Sequence, residues 1–233
     1  MRPILIAECG NNHEGSLDAA MEMLEKAKDA GADMVKFQAG TAEGFARAPE
    51  DVPKYRKYEL GVNGYLQLYN SGLKLGIPVF FSVWAGDEFD ALCYWPPYYK
   101  IAARQCNQEF INDYRDHRTQ KQTVFISIPH TMNILHDLPR IDDFIPMHCV
   151  AEYPARDPLL HRIDHIRYAF QTDKAGWSDH CVGVDIAIMA AKMWKPYAIE
   201  KHFTLAHDFG PLRDHAHSAT PDEFRRLRDA LAD

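Results

Sequence analysis

Short apolar runs alternate with longer amphipathic ones along the chain. The first, Ile-Leu-Ile-Ala at 4–7, reads as a buried strand that stops on Glu8. A polar turn at 8–15 follows. Leu17, Ala20, Met21, Leu24 and Ala27 then recur at helical spacing, with Ser16 as N-cap and Gly31 closing the helix. The alternation repeats seven more times. It predicts strands at 34–37, 78–82, 98–101, 123–127, 144–148, 175–177 and 197–200. Helices are predicted at 65–75, 87–92, 109–118, 134–138 (weakly patterned), 159–170, 184–194 and 221–231. Pro146 weakens the strand at 144–148, because proline cannot donate to a ladder. Thr220 and Pro221 mark the start of the last helix. The polar excursion at 40–63 is too long for a plain loop and reads as an active-site loop with some helix.

Eight strand-then-helix units with no composition break imply a parallel sheet. In 233 residues they predict an α/β chain of one domain, 1–233, folded as a (β/α)8 TIM barrel. The competitor is an open doubly wound sheet. It wants a glycine-rich phosphate turn after the first strand, and Gly10-Asn11-Asn12-His13-Glu14-Gly15 lacks that pattern.

Charge and cysteine content narrow the function. A net charge of −7 with no Lys/Arg-rich run argues against a nucleic-acid surface, so an anionic substrate needs local cations. The five scattered cysteines form no CxxC pair, which fits reduced thiols. Glu8 interrupts the opening apolar run, and no run approaches the roughly 20 residues of a membrane span. The expectation is a cytoplasmic protein.

Candidate chemistry sits where each apolar run stops: Glu8, Lys36 with Gln38, Ser82, Lys100, Ser127, His148, Ser178 to His180, Glu200 and His202. In a barrel these positions converge on the C-terminal mouth, where this fold places active sites. Two lysines facing one cavity are costly unless an anion stands between them. Lys36 and Lys100 therefore point to a phosphate or carboxylate ligand, with Arg104 as an added fork. Pairing with Glu8 or Glu200, or a Schiff-base role for Lys100, are the competing readings. His180 and His202 end neighbouring strands beside carboxylates, and as neutral imidazoles they suit Mn²⁺, Fe²⁺, Co²⁺ or Zn²⁺. The bland reading makes His202 a hydrogen-bonded barrel residue and His180 an exposed loop residue. His148 reads as a structural hydrogen-bonder; His130 lies at another strand end. His13, His215 and His217 lie on loops within reach of a substrate, whereas His136, His161 and His165 read as solvated helix residues. Trp84, Trp95 and Trp177 either line an apolar acceptor pocket or simply pack, and packing is the safer reading.

Six motifs carry a family resemblance. They are Ile6-Ala7-Glu8-Cys9-Gly10-Asn11-Asn12-His13-Glu14-Gly15, Gly31-Ala32-Asp33-Met34-Val35-Lys36-Phe37-Gln38 and Tyr99-Lys100-Ile101. His148-Cys149 with Tyr153-Pro154, Gly176-Trp177-Ser178-Asp179-His180 and Ile199-Glu200-Lys201-His202-Phe203-Thr204-Leu205 complete the set. Pro221-Asp222-Glu223-Phe224 fits the last barrel helix. In this order they resemble the sialic acid synthase (N-acetylneuraminate synthase) family. That family condenses phosphoenolpyruvate with the open-chain aldehyde of an N-acetylated hexosamine, using Mn²⁺ or a similar ion.

The resemblance implies that His180 and His202 bind the metal. It implies that Lys36, Lys100, Ser127 and Ser178 hold phosphoenolpyruvate, and that Glu8, Gln38, Tyr153, Glu200 and Asp214 contact or orient sugar and water. The departures are local. Ala102-Ala103-Arg104-Gln105 stands where the family has Gly-Ser-Gly-Glu, and Ser127-Ile128-Pro129-His130 where Ser-Thr-Gly-Met is usual. Ala151 replaces a sugar-binding asparagine and Val83-Trp84 replaces Thr-Pro. Family members usually continue into an antifreeze-like domain whose arginine reaches a neighbouring subunit's sugar site. With the sequence stopping at 233, that arginine is expected to be missing and a homo-oligomer to form through barrel helices.

The resulting expectation is a transferase that joins phosphoenolpyruvate to an aldehyde, sugar or sugar-like, other than N-acetylmannosamine. Its cofactor is a divalent metal, Mn²⁺ first, with Zn²⁺, Co²⁺ or Fe²⁺ as alternatives. One competing expectation is a metal-dependent aldolase, lyase or hydrolase acting on another phosphorylated or carboxylated compound. The other is a non-catalytic accessory sugar-binding subunit.

Overall fold

Period-two alternation gives every strand two different faces, and the fold turns on what each face meets. In a computed structural model, which describes residues 2–84, 92, 96–117, 122–133 and 144–231, the strands line up as one parallel sheet. They are β1 (Ile4–Gly10), β2 (Met34–Gly40), β3 (Val79–Trp84), β4 (Tyr98–Ile101), β5 (Thr123–Pro129), β6 (Phe144–Cys149), β7 (Gly176–Asp179) and β8 (Ala198–His202). The ladder runs β3-β2-β1-β8-β7-β6-β5-β4, and β3 and β4 lie side by side, so the sheet curls into a nearly closed barrel. The expected (β/α)8 architecture is the observed one.

The outward faces carry Leu5, Ala7, Val35, Phe37, Phe81, Tyr99, Ile126, Trp177 and Ile199, packed with helix residues such as Leu24, Leu68, Ile111, Ile163, Ala187 and Phe224. The lower inward faces carry a second, smaller apolar cluster: Ile6, Met34, Phe80, Phe125, Ile145, Met147 and Ala198. Each fully buried side chain of this size contributes roughly 1.5–3 kcal/mol. This second cluster plugs the barrel floor, so whatever lies above it opens only upward.

Local sequence sets the helix ends. Ser16 accepts from the Ala19 amide to start α1 (Leu17–Asp29), as read from the pattern. The excursion at 40–63 does contain helix: α2 (Ala42–Phe45), capped by Thr41, α3 (Val52–Tyr55) and two single 3₁₀ turns. α4 (Gly61–Leu75) ends on Gly76 in the left-handed region, φ 71°. α5 (Gln108–His117), α6 (Arg162–Phe170) and α7 (Asp185–Met193) follow β4, β6 and β7. α8 (Pro221–Ala230) opens on a capping box in which Thr220 and Glu223 bond each other's backbone amides. None of these helices is long and apolar enough to cross a membrane.

Two expectations are corrected. Strands run further than their apolar stretches: β1 reaches Gly10, β2 Gly40, β3 Trp84 and β8 His202. Their polar ends are barrel residues rather than turns. The strand expected at 144–148 is observed as β6, with Pro146 inside the sheet opposite Ile126. The helix predicted from 159 starts at Arg162, because Leu159 takes a positive φ of 46°. The helices predicted at 87–92 and 134–138 lie outside the described residues, except Leu92, which is buried.

Candidate active site

Two residues above the floor, each inward position turns polar. Ile6 is followed by Glu8, Met34 by Lys36, Phe80 by Ser82, Phe125 by Ser127 and Ala198 by Glu200. Parallel register sets several of them side by side on neighbouring strands: Glu8 pairs with Lys36, Gln38 with Ser82, and Ser178 with Glu200. They line a single cavity with Lys100, Cys149, Tyr153, His180 and His202.

Glu200 organises the layer. Its Oε2 accepts from Lys100 Nζ at 2.7 Å and lies 4.0 Å from Lys36 Nζ, while its Oε1 accepts from Ser178 Oγ at 2.9 Å. Lys36 also pairs with Glu8, whose other oxygen accepts from Gln38 at 3.4 Å. All four charged groups are buried. Burial opposes ionisation of Glu200, but Lys100 and Lys36 outweigh it and hold its carboxyl below the usual range. Burial pushes the Glu8 carboxyl up, with Glu200 adding to the rise against the pull of Lys36. Lys100 is lowered by burial, with the like-charged Lys36 adding against the pull of Glu200. Each lysine is thus paired with a carboxylate and also lines the cavity. Burial raises the Cys149 thiol to about 12, so it stays protonated and inert as a nucleophile.

Above this layer stand the imidazoles. The His180 and His202 rings lie 5.3 Å apart. His180 Nδ1 bonds the Val150 carbonyl at 2.7 Å, which leaves Nε2 as its free lone pair. His202 Nδ1 has no hydrogen-bond partner. Burial brings His180 to about 4 and drives His202 well down, with the neighbouring imidazoles adding, so both are neutral at pH 7. Neutral, oriented and partly unpartnered imidazoles fit a divalent ion. Pattern reading left His217 among the loop residues, yet its ring stands 4.8 Å from that of His202. Donor atoms of His202, Asp214 and His217 all lie within 4.8 Å of one another. Burial lifts the Asp214 carboxyl to about 6. Tyr153, half exposed, lays its ring 4.2 Å from His180 and forms a rim over the imidazoles.

Other candidates sit elsewhere. Arg104 donates to the Phe45 and Gly44 carbonyls at 3.1 and 2.8 Å and stacks 4.3 Å over Trp84, while Ala102 and Ala103 line the cavity. The fork expected to grip an anion is therefore anchored to α2. His148 points to the outer wall, bonding the Pro158 carbonyl at 2.8 Å, so it leaves the ring of mouth residues and keeps its structural reading. His215 is buried between Thr204 and Glu14, and His13 accepts from the Gly15 amide; neither lines the cavity. His161 and His165 are exposed, Trp177 is packed, and His136 and Trp95 lie outside the described residues.

Comparison with known proteins places this site in a family. The NeuB family's model matches residues 23–233. The chain belongs to the NeuB family. Spore coat polysaccharide biosynthesis protein SpsE of Bacillus subtilis is 29% identical over 248 residues, covering 97% of this chain and 66% of that protein. N,N'-diacetyllegionaminic acid synthase of Legionella pneumophila is 28% identical over 268 residues, covering 100% and 72%. The crystal structure of N-acetylneuraminic acid (sialic acid) synthetase from Leptospira borgpetersenii, in complex with citrate, matches with a TM-score of 0.84 and 27% identity. That match covers all of this chain and 83% of that one. The NeuB chain described here thus spans about two thirds of SpsE and under three quarters of the legionaminic acid synthase.

Proposed function

We propose that this NeuB-family barrel condenses phosphoenolpyruvate with the aldehyde of a sugar-like acceptor, releasing phosphate. The observation that carries the reading is the pair of buried lysines bridged by one carboxylate at the bottom of an upward-opening well. An entering phosphate or carboxylate takes over the bond that Lys100 gives Glu200 and the contact of Lys36, so the well exchanges one anion for another. Ser82, whose hydroxyl has no protein partner, and Ser127 and Ser178 stand beside the lysines as neutral donors to the same oxygens.

His180 and His202 would hold a divalent ion at the rim. When bound, such an ion supplies Lewis-acid polarisation of an acceptor carbonyl. Tyr153 and Gln38 border the space above the lysines and orient the acceptor there. C3 of the enol then bonds to the aldehyde carbon, whose oxygen takes a proton. Water adds to C2 of the donor, and the C2–O bond breaks to release phosphate. Asp214, with its carboxyl raised to about 6 by burial, takes the proton of that water, and Glu8 and Glu200 stabilise the cationic C2 centre. The methyl groups of Ala102 and Ala103 in the wall support an acceptor with less polar substituents than N-acetylmannosamine at that edge.

The test is phosphate release from phosphoenolpyruvate over a panel of aldehydes and aminosugars with Mn²⁺, Co²⁺ or Zn²⁺. Release with one acceptor, lost in His202→Ala, is the expected outcome. No release with any acceptor, together with metal binding that survives, would direct the search to aldolase or hydrolase chemistry.

A further inference from the structure

His217 comes from the loop after β8 and is buried, and its Nε2 has no protein hydrogen-bond partner. Its ring centroid lies 4.8 Å from His202 and 6.4 Å from His180, so three imidazoles crowd one corner of the mouth. The buried His202 Nδ1 and His217 Nε2 both lack a hydrogen-bond partner, an unfavourable arrangement unless something meets them. Asp214, one turn earlier on the same 3₁₀ segment, brings a carboxylate to the same point. Donors placed tetrahedrally about one ion at about 2.0–2.1 Å stand about 3.4 Å apart. The mutual spacing of His202, Asp214 and His217, up to 4.8 Å, therefore closes by up to about 1.4 Å.

From this geometry we infer that His217 is a third imidazole ligand of the metal site, with Asp214 beside it, and that the set selects Zn²⁺ or Co²⁺ over Mn²⁺. The inference rests on the metal reading given above and adds the ligand count and the selectivity. The physical reason is the donor type. Two imidazoles with oxygen donors suit Mn²⁺, whereas each further nitrogen favours metals later in the Irving–Williams order. The residue also comes from a segment other than the strands that carry His180 and His202, so bound metal ties the loop after β8 to the barrel rim.

The experiment uses the full chain stripped with chelator and then titrated calorimetrically with Zn²⁺, Co²⁺ and Mn²⁺, as wild type, His217→Ala and His202→Ala. In His217→Ala the Zn²⁺ and Co²⁺ affinities are expected to fall about 10–100-fold and the Mn²⁺ affinity by less than about threefold. The Co²⁺ visible spectrum should change with them. Loss of all binding in His202→Ala with unchanged affinities and spectrum in His217→Ala would overturn the assignment and leave the two-histidine site standing. No metal binding by wild type would overturn both. X-ray absorption of the Zn²⁺-loaded wild type decides independently of how well any variant folds: three imidazoles support the assignment and two sink it.

Discussion

Glu200, Lys201 and His202 are consecutive and all buried, yet they belong to two different regions. Glu200 and His202 face into the barrel. Lys201 faces the helical layer, where it pairs with Asp179 at 3.2 Å and donates to the Cys181 carbonyl. Asp179 in turn accepts from the Cys181 amide at 2.7 Å. That outer pair is closed on itself, with its charges met by each other and by one loop. The inner network is shared: one carboxylate serves two lysines and a serine, and it borders a cavity. A buried charge whose partners all lie in its own wall holds that wall together. A buried charge divided among several partners and facing space is poised to change partners.

The strongest way to break this comparison is through the inner lysine. Lys100→Met is expected to lower phosphate release about 10²–10³-fold, while Lys201→Met leaves turnover per folded molecule within about threefold. Equal losses in both variants, measured on protein shown folded by circular dichroism, would erase the distinction. The converse test is stability. Asp179→Ala strands Lys201 in the outer wall and is expected to cost about 3–5 kcal/mol in urea unfolding, with metal affinity retained. A loss under about 1 kcal/mol would show that the outer pair is not structural.

A smaller effect should appear with pH. Burial holds His13 and His148, both away from the cavity, neutral with values near 4 against an ordinary 6.5. The unfolded chain therefore binds more protons than the folded one between those limits. Their contribution is full above about pH 6.5 and is lost as pH falls toward about 4, on the order of 1–3 kcal/mol each. Urea midpoints between pH 8 and 4 should show this slope, and His148→Gln should flatten part of it; an unchanged slope refutes the assignment. The smallest effect concerns Arg104. Arg104→Lys loses the stack on Trp84 and one carbonyl contact, a cost of about 1 kcal/mol or less in thermal melts, with the Michaelis constant for phosphoenolpyruvate nearly unchanged. A tenfold rise in that constant would return Arg104 to the substrate.

Much of the fold was legible because two periodicities are local properties. Ser16, Gly76 and Thr220 with Glu223 mark helix ends through bonds made within a few residues, so their signals survive in one dimension. Strand lengths were read short for a specific reason. Apolar character marks the core of a strand, but inside this barrel the upper inward positions are the site, so Glu8, Gln38, Ser82 and His202 are polar strand residues. The family and the lysines, serines and histidines of the motifs were likewise readable, since each motif is contiguous. The contacts of Arg104 are not legible in sequence because its partners, Gly44 and Phe45, are about sixty residues away. His217 had no local signal at all.

The sequence by itself determined the alternation of strand and helix, the order of the eight units and the identity of the groups at the strand ends. All of these follow from spacing and side-chain type along the chain. Only the tertiary structure decided which side of the wall each charge occupies and which groups share it. A one-residue step along a strand reverses the face, and barrel closure brings β2, β4 and β7 to bear on the Glu200 carboxylate of β8. Spacing sets a period, but partners are set by distances through space.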